Sequence, residues 1–183
     1  MNKKPNPLII AHRGESYLAP ENTLTAINLA WVKGAKAVEI DVHLSLDKHV
    51  VVIHDTSTQR TGTHNIKISK STLNELQQVD VGLYKGEEFR GERIPLLSEV
   101  LQTIPDNGKL IIEIKCGVEI IPYLHLLLKK AEVNESQIEI ISFNYKLICD
   151  AKRHMPEYKM LWLLNLDYYL PWWALFMNKN KLI

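Results

Sequence analysis

The chain has 183 residues, 46% hydrophobic and 23% charged, which suits one domain with a sizeable core. A formal net charge of +1 gives no sign of the strongly basic surface of a nucleic-acid binder, so no nucleic-acid partner is expected. The apolar run after the two N-terminal lysines is too short for a signal peptide, and Cys116 and Cys149 lack metal-ligand spacing, so a cytoplasmic protein with reduced thiols is expected.

Residues 8–11 read as a short apolar strand that runs abruptly into His12-Arg13-Gly14. Pro20-Glu21-Asn22-Thr23 opens an amphipathic helix through Leu24, Ile27, Ala30 and Trp31, and Gly34 ends it. Residues 37–55, AVEIDVHLSLDKHVVVIHD, read as two strands joined by a polar turn at Asp47-Lys48. In the first, Glu39 and Asp41 alternate with Val38, Ile40 and Val42, which places both carboxylates on one face. The second delivers His54 and Asp55 at its C-terminal end. Residues 56–92 are polar and glycine-bearing, and are expected to form a small insertion with one helix, 72–79, capped by Ser71. Ser98 is expected to cap the next helix.

Residues 110–114 form a fourth strand that leads into Lys115. A helix over 119–131 tolerates Pro122 in its first turn. A fifth strand over 138–141, a helix after Asn144 and a sixth strand over 160–164 follow. The tail, 165–183, is atypically apolar, but Asn165, Asp167 and Pro171 interrupt it, so membrane contact through 160–177 is not favoured.

Alternating apolar strands and helices argue for α/β with a parallel sheet. Polar groups stand at the C-terminal ends of strands one to four, where a TIM barrel gathers its active site, so a TIM (β/α)8-type barrel is favoured over an open doubly wound sheet. Only six strands are found where the fold usually needs about 250 residues. The expectation is therefore a single domain over 1–183, truncated after about six strands, whose open edge a second copy would cover.

Burying neighbouring carboxylates without a cation is costly. Glu39, Asp41 and Glu113, with no cysteine or histidine at metal spacing, describe a hard-cation site for Mg²⁺ or Ca²⁺. His12 and His54 each follow a buried strand and form a candidate acid–base pair. Arg13 and Lys115 beside a divalent cation would repel it unless an anion lay between, which points to a phosphate ester as substrate.

His12-Arg13-Gly14, Pro20-Glu21-Asn22-Thr23, Glu39-Ile40-Asp41, Val51-Val52-Ile53-His54-Asp55, Arg60-Thr61 and Glu113-Ile114-Lys115, with GERIPLLSEVL from Gly91, resemble the ordered motifs of the glycerophosphodiester phosphodiesterases over roughly 7–164. The resemblance implies a TIM barrel that hydrolyses small-molecule glycerophosphodiesters to glycerol 3-phosphate and an alcohol. It implies that Glu39, Asp41 and Glu113 bind the cation, that Arg13 and Lys115 hold the phosphate, and that His12 and His54 are acid and base. It also implies that the substrate's own glycerol hydroxyl can be the nucleophile. The chain departs from the family pattern at Asp47-Lys48-His49, where Asp-Gly is common, and after the sixth strand, where nothing matches the family's aromatic mouth segment. Two alternatives accompany this reading: an inactive or binding-only remnant of the fold, and a lysophospholipase D-type activity at a membrane surface.

Overall fold

The computed structural model describes residues 8–165. Its sheet is built on β2 (Ala37–Leu44), in which every residue is buried. Two different environments bury that strand. Val38, Ile40, Val42 and Leu44 pack into the main apolar core, while Glu39, Asp41 and His43 turn to the other, inner face. β1 (Ile10–His12), β4 (Lys109–Ile114), β5 (Ile138–Ser142) and β6 (Lys159–Trp162) join β2 in the order β1-β2-β4-β5-β6, all pairs parallel. Helices α1 (Leu24–Val32), α3 (Leu97–Leu101), α4 (Ile121–Lys130) and α5 (Tyr145–His154) contribute Ile27, Leu97, Leu124 and Leu147 to the core on the outer face. This is the expected partial α/β barrel, with β1 and β6 as its edges among the described residues.

One strand departs from the expectation. β3 (Val50–Val52) was expected among parallel strands, but it pairs antiparallel with β2, Val42 opposite Val52 and Leu44 opposite Val50. The short link after Leu44 cannot hold the dozen or more residues that a parallel crossover needs, so a hairpin is the only connection available. The consequence is useful. The hairpin rises beyond the C-terminal ends of its neighbours, and its second arm descends until the Ile53 N–H donates to the Asp41 carbonyl at 3.0 Å. His54 is thereby lowered to the level of the carboxylates.

Lys48 occupies the tip of this hairpin with a left-handed φ of 69°. That conformation suits glycine, which explains why Asp-Gly is the natural turn there.

The segment after β3 folds over the mouth with a small core of its own, Val51, Ile53, Ile68, Leu76, Val79, Val81 and Ile94. Its α-helix, α2 (Leu73–Leu76), is shorter than the expected 72–79, and its cap is Thr72 rather than Ser71. The Thr72 side chain accepts from the Glu75 N–H and Glu75 accepts from the Thr72 N–H, a reciprocal box that Ser71 could not make. Likewise Ser98 lies inside α3, and the Leu96 N–H is satisfied by Glu99 at 2.7 Å. No helix of the described residues is long and apolar enough to cross a membrane. The apolar tail lies, beyond Asn165, outside the described residues.

Candidate active site

Register brings the acidic groups together. His12 is the Cα partner of Glu39 across the β1–β2 pair, and Asp41 is the partner of Glu113 across β2–β4. Cross-strand partners share a face, so all four side chains point into the inner mouth. Ligand oxygens of Glu39, Asp41 and Glu113 lie within 4.8 Å of one another, and all three residues are buried.

The local chemistry fits a divalent cation. Glu39 Oε1 and Asp41 Oδ1 are buried without any hydrogen-bond partner. Burial, with repulsion from Asp41, pushes the Glu39 carboxyl up to about 8. Two orphaned carboxylate oxygens in one spot are costly unless a cation accepts both. Three oxygen donors without sulfur suit a hard ion.

The remaining oxygens are taken by fixed donors. Glu39 Oε2 accepts the Arg13 N–H at 3.0 Å, and His12 Nε2 stands 3.7 Å from it. Asp41 Oδ2 accepts from Asn22 Nδ2 at 2.8 Å, and the Asp41 N–H donates to Asn22 Oδ1 at 3.1 Å. The structure gives the cap to Thr23, whose side chain accepts from the Ala26 N–H, and uses Asn22 to grip Asp41.

That grip requires unusual backbone. Arg13 and Asn22 are both left-handed, with φ of 59° and 57°, and the Asn22 N–H closes onto the Arg13 carbonyl at 3.0 Å. Gly14 follows with φ +78°, and a Cβ there would lie 2.6 Å from the Ala26 carbonyl carbon. Only glycine fits, which accounts for the third residue of His-Arg-Gly.

Lys115 and His54 complete the mouth. Lys115 Nζ donates to Glu113 Oε1 at 2.9 Å, lies 3.6 Å from Asp41 Oδ1, and meets His54 Nε2 at 3.2 Å. An ammonium is a donor only, so His54 Nε2 accepts and its proton sits on Nδ1, bonded to Asp55 Oδ1 at 2.6 Å. Contacts thus run from His12 through Glu39 to Arg13, and from Asp41 and Glu113 through Lys115 to His54, with a histidine at either end.

All seven predicted site residues are therefore gathered at one mouth. His43 was missed. It stands two residues beyond Asp41 on the same face, buried, with Nε2 3.1 Å from the His54 carbonyl. Period two would have found it. Burial, outweighing the bond to the His54 carbonyl, keeps it below the ordinary histidine range, so it is a neutral support for the turn that carries His54. A cavity of about 690 Å³ opens beside this group, lined by His43, His54, Asp55, Gln59, Arg60 and Lys115 among others.

An α/β barrel that aims carboxylates, two histidines and two fixed cations at one mouth has the arrangement of an active site. The chain belongs to the glycerophosphoryl diester phosphodiesterase family, whose sequence profile matches residues 12–180, further than the motifs alone reach. It is 41% identical over 169 residues to a glycerophosphodiester phosphodiesterase of Caldanaerobacter subterraneus subsp. tengcongensis, an alignment covering 90% of this chain and 70% of that protein. It is 46% identical over 107 residues to the Bacillus subtilis protein YhdW, covering 58% of this chain and 44% of YhdW. Among solved structures, an Oleispira antarctica phosphodiesterase in complex with the product sn-glycerol-3-phosphate superposes with a TM-score of 0.83 at 35% identity, covering 94% of this chain and 71% of that one. The Thermotoga maritima glycerophosphodiester phosphodiesterase superposes with a TM-score of 0.73 at 30% identity, covering 92% and 67%.

Proposed function

We propose that this chain hydrolyses glycerophosphodiesters to glycerol 3-phosphate and an alcohol, with a divalent cation held by Glu39, Asp41 and Glu113. The observation that carries the reading is the pair of buried oxygens without a hydrogen-bond partner, Glu39 Oε1 and Asp41 Oδ1, beside Glu113 and flanked by Arg13 and Lys115. The product complex of the Oleispira antarctica relative supports the substrate class.

When bound, Mg²⁺ or Ca²⁺ supplies Lewis-acid polarisation of the phosphoryl oxygens. Arg13 offers its fork and Lys115 its point charge to the phosphate. Lys115 then exchanges part of its contact with Glu113 and His54 for the incoming anion. His54, through the Nε2 that faces Lys115, can take the proton of the attacking glycerol hydroxyl as its oxygen bonds to phosphorus, while His12 at the other end can give one to the departing alkoxide as the ester P–O bond breaks; water then opens the cyclic phosphate. The reverse allocation uses the same two atoms. Burial and the neighbouring Arg13 lower the His12 pKa, which makes it a readier proton donor once charged.

Glycerophosphocholine hydrolysis with and without Mg²⁺ or Ca²⁺ tests the reading. Cation-dependent release of glycerol 3-phosphate, lost in Glu39→Ala with folding retained, is the expected result. A folded protein that releases none with either cation overturns it.

A further inference from the structure

We infer that Arg60, from the segment that covers the mouth, is a positioning residue that orients both His54 and Arg13. The inference rests on the proposed function for its kinetic consequences, and on geometry alone for its structural ones.

Arg60 spends three N–H groups on two carboxylates. Nε donates to Asp55 Oδ2 at 2.7 Å, and the two terminal nitrogens donate to Glu21 Oε2 and Oε1, each at 2.7 Å. Beyond Asp55 stands His54, held through Nδ1; beyond Glu21 stands Arg13, whose terminal nitrogen reaches Oε1 at 2.9 Å. A single unbroken line therefore runs His54, Asp55, Arg60, Glu21, Arg13. The Glu21 N–H is also fixed, donating to Tyr84 Oη at 3.0 Å from the same covering segment.

An isolated exposed ion pair would contribute little, but a bidentate fork inside a network is a different object. The Arg60 side chain is 46% exposed, whereas Glu21 and Asp55 retain 16% and 32%. Burial opposes ionisation of both carboxylates, yet their cationic partners hold each below its ordinary range.

Two consequences follow for the mouth. With Asp55 anchored by Arg60, one oxygen stays aimed at His54 Nδ1, which keeps Nε2 bare and facing Lys115. With Glu21 shared between two guanidinium groups, Arg60 sets where Glu21 meets the terminal nitrogen of Arg13, whose Nε lies 3.3 Å from Asp41 Oδ2. Without Arg60, Asp55 turns to water and Glu21 closes on Arg13 alone. One side chain thus tunes the proton carrier and the phosphate clamp together.

The test uses Arg60→Gln and Arg60→Lys, with folding followed by circular dichroism. Long-range ¹H–¹⁵N correlation spectra of the cation-free protein report the His54 tautomer without any turnover. The wild type is expected to show protonated Nδ1 and bare Nε2, Arg60→Gln a mixture of both tautomers, and Arg60→Lys an intermediate. In kinetics, Arg60→Gln is expected to lose about 10- to 100-fold in kcat and raise KM, with partial recovery in Arg60→Lys. An unchanged His54 spectrum in a folded Arg60→Gln overturns the inference. If the wild type proves inactive, the proposed function fails while the spectra still decide the role of Arg60.

Discussion

Glu139 and Glu39 stand on the same inner face of the sheet, one at its base and one at its mouth. At the base, Glu139 Oε1 accepts from Lys109 at 3.3 Å and Lys159 at 3.1 Å, so two cations serve one carboxylate. At the mouth, Glu39, Asp41 and Glu113 crowd together and leave two buried oxygens without a hydrogen-bond partner. Between them lies a thin apolar layer, Ala37, Ile111 and Ile141. The backbone differs in the same sense. The left-handed non-glycine residues among those described, Arg13, Asn22 and Lys48, belong to the mouth end. Charges at the base are arranged for the fold, and those at the mouth for something the fold alone does not require.

The sharpest way to break this contrast is to neutralise the mouth. Glu39→Gln keeps an acceptor for the Arg13 N–H but removes a carboxyl whose ionisation burial and Asp41 both oppose. Hydrolysis is expected to fall about a thousandfold, since cation binding supplies several kcal/mol of transition-state stabilisation. In chelator, the same variant is expected to melt higher than the wild type, by about 2 kcal/mol of stability. The added cation should raise the wild-type melting temperature and leave the variant's unmoved. A variant that loses stability in chelator would show that the acidic cluster is structural after all.

Strain is the next lever. Gly14→Ala places a Cβ 2.6 Å from backbone at Ala26 and forces alanine to φ +78°. We expect a loss of about 2–4 kcal/mol, read by urea unfolding, with Arg13 displaced and activity reduced. Lys48→Gly runs the other way. It relieves a left-handed lysine at the hairpin tip and should gain about 1 kcal/mol, or about 2–4 °C in melting temperature, with hydrolysis unchanged.

How far these features could be read from sequence depends on whether their cause is local. Alternation along 37–42 is local, and it correctly placed Glu39 and Asp41 on one face. The hairpin was legible in principle, because the link between β2 and β3 is too short for a parallel crossover. Strand and helix alternation alone hides it, because that pattern carries no mark of pairing direction. Asn22 was beyond reach. Its partner Asp41 lies 19 residues away, and a left-handed φ leaves no mark in the sequence when the residue is not glycine. The line through Arg60 joins residues 39 positions apart and exists only once the covering segment is folded.

The smallest effect belongs to the base. Burial works against ionisation of Glu139, but Lys159 and Lys109 hold its carboxyl below the ordinary value of 4.5. The unfolded chain therefore binds this proton more tightly than the folded one. Its stabilising contribution is full above pH 4.5 and is lost as pH falls through the lower folded value. The lysines are 44% and 60% exposed, so screening keeps the contribution to about 0.5 kcal/mol. Glu139→Gln should lower stability by that amount at pH 7, lose the difference as pH falls through the lowered folded value, and leave hydrolysis untouched. Salt should weaken the wild type toward the variant, because the pairs are exposed on the lysine side. If Glu139→Gln instead cost activity as severely as Glu39→Gln, base and mouth would not be separate in function, and the division of the inner face would fall.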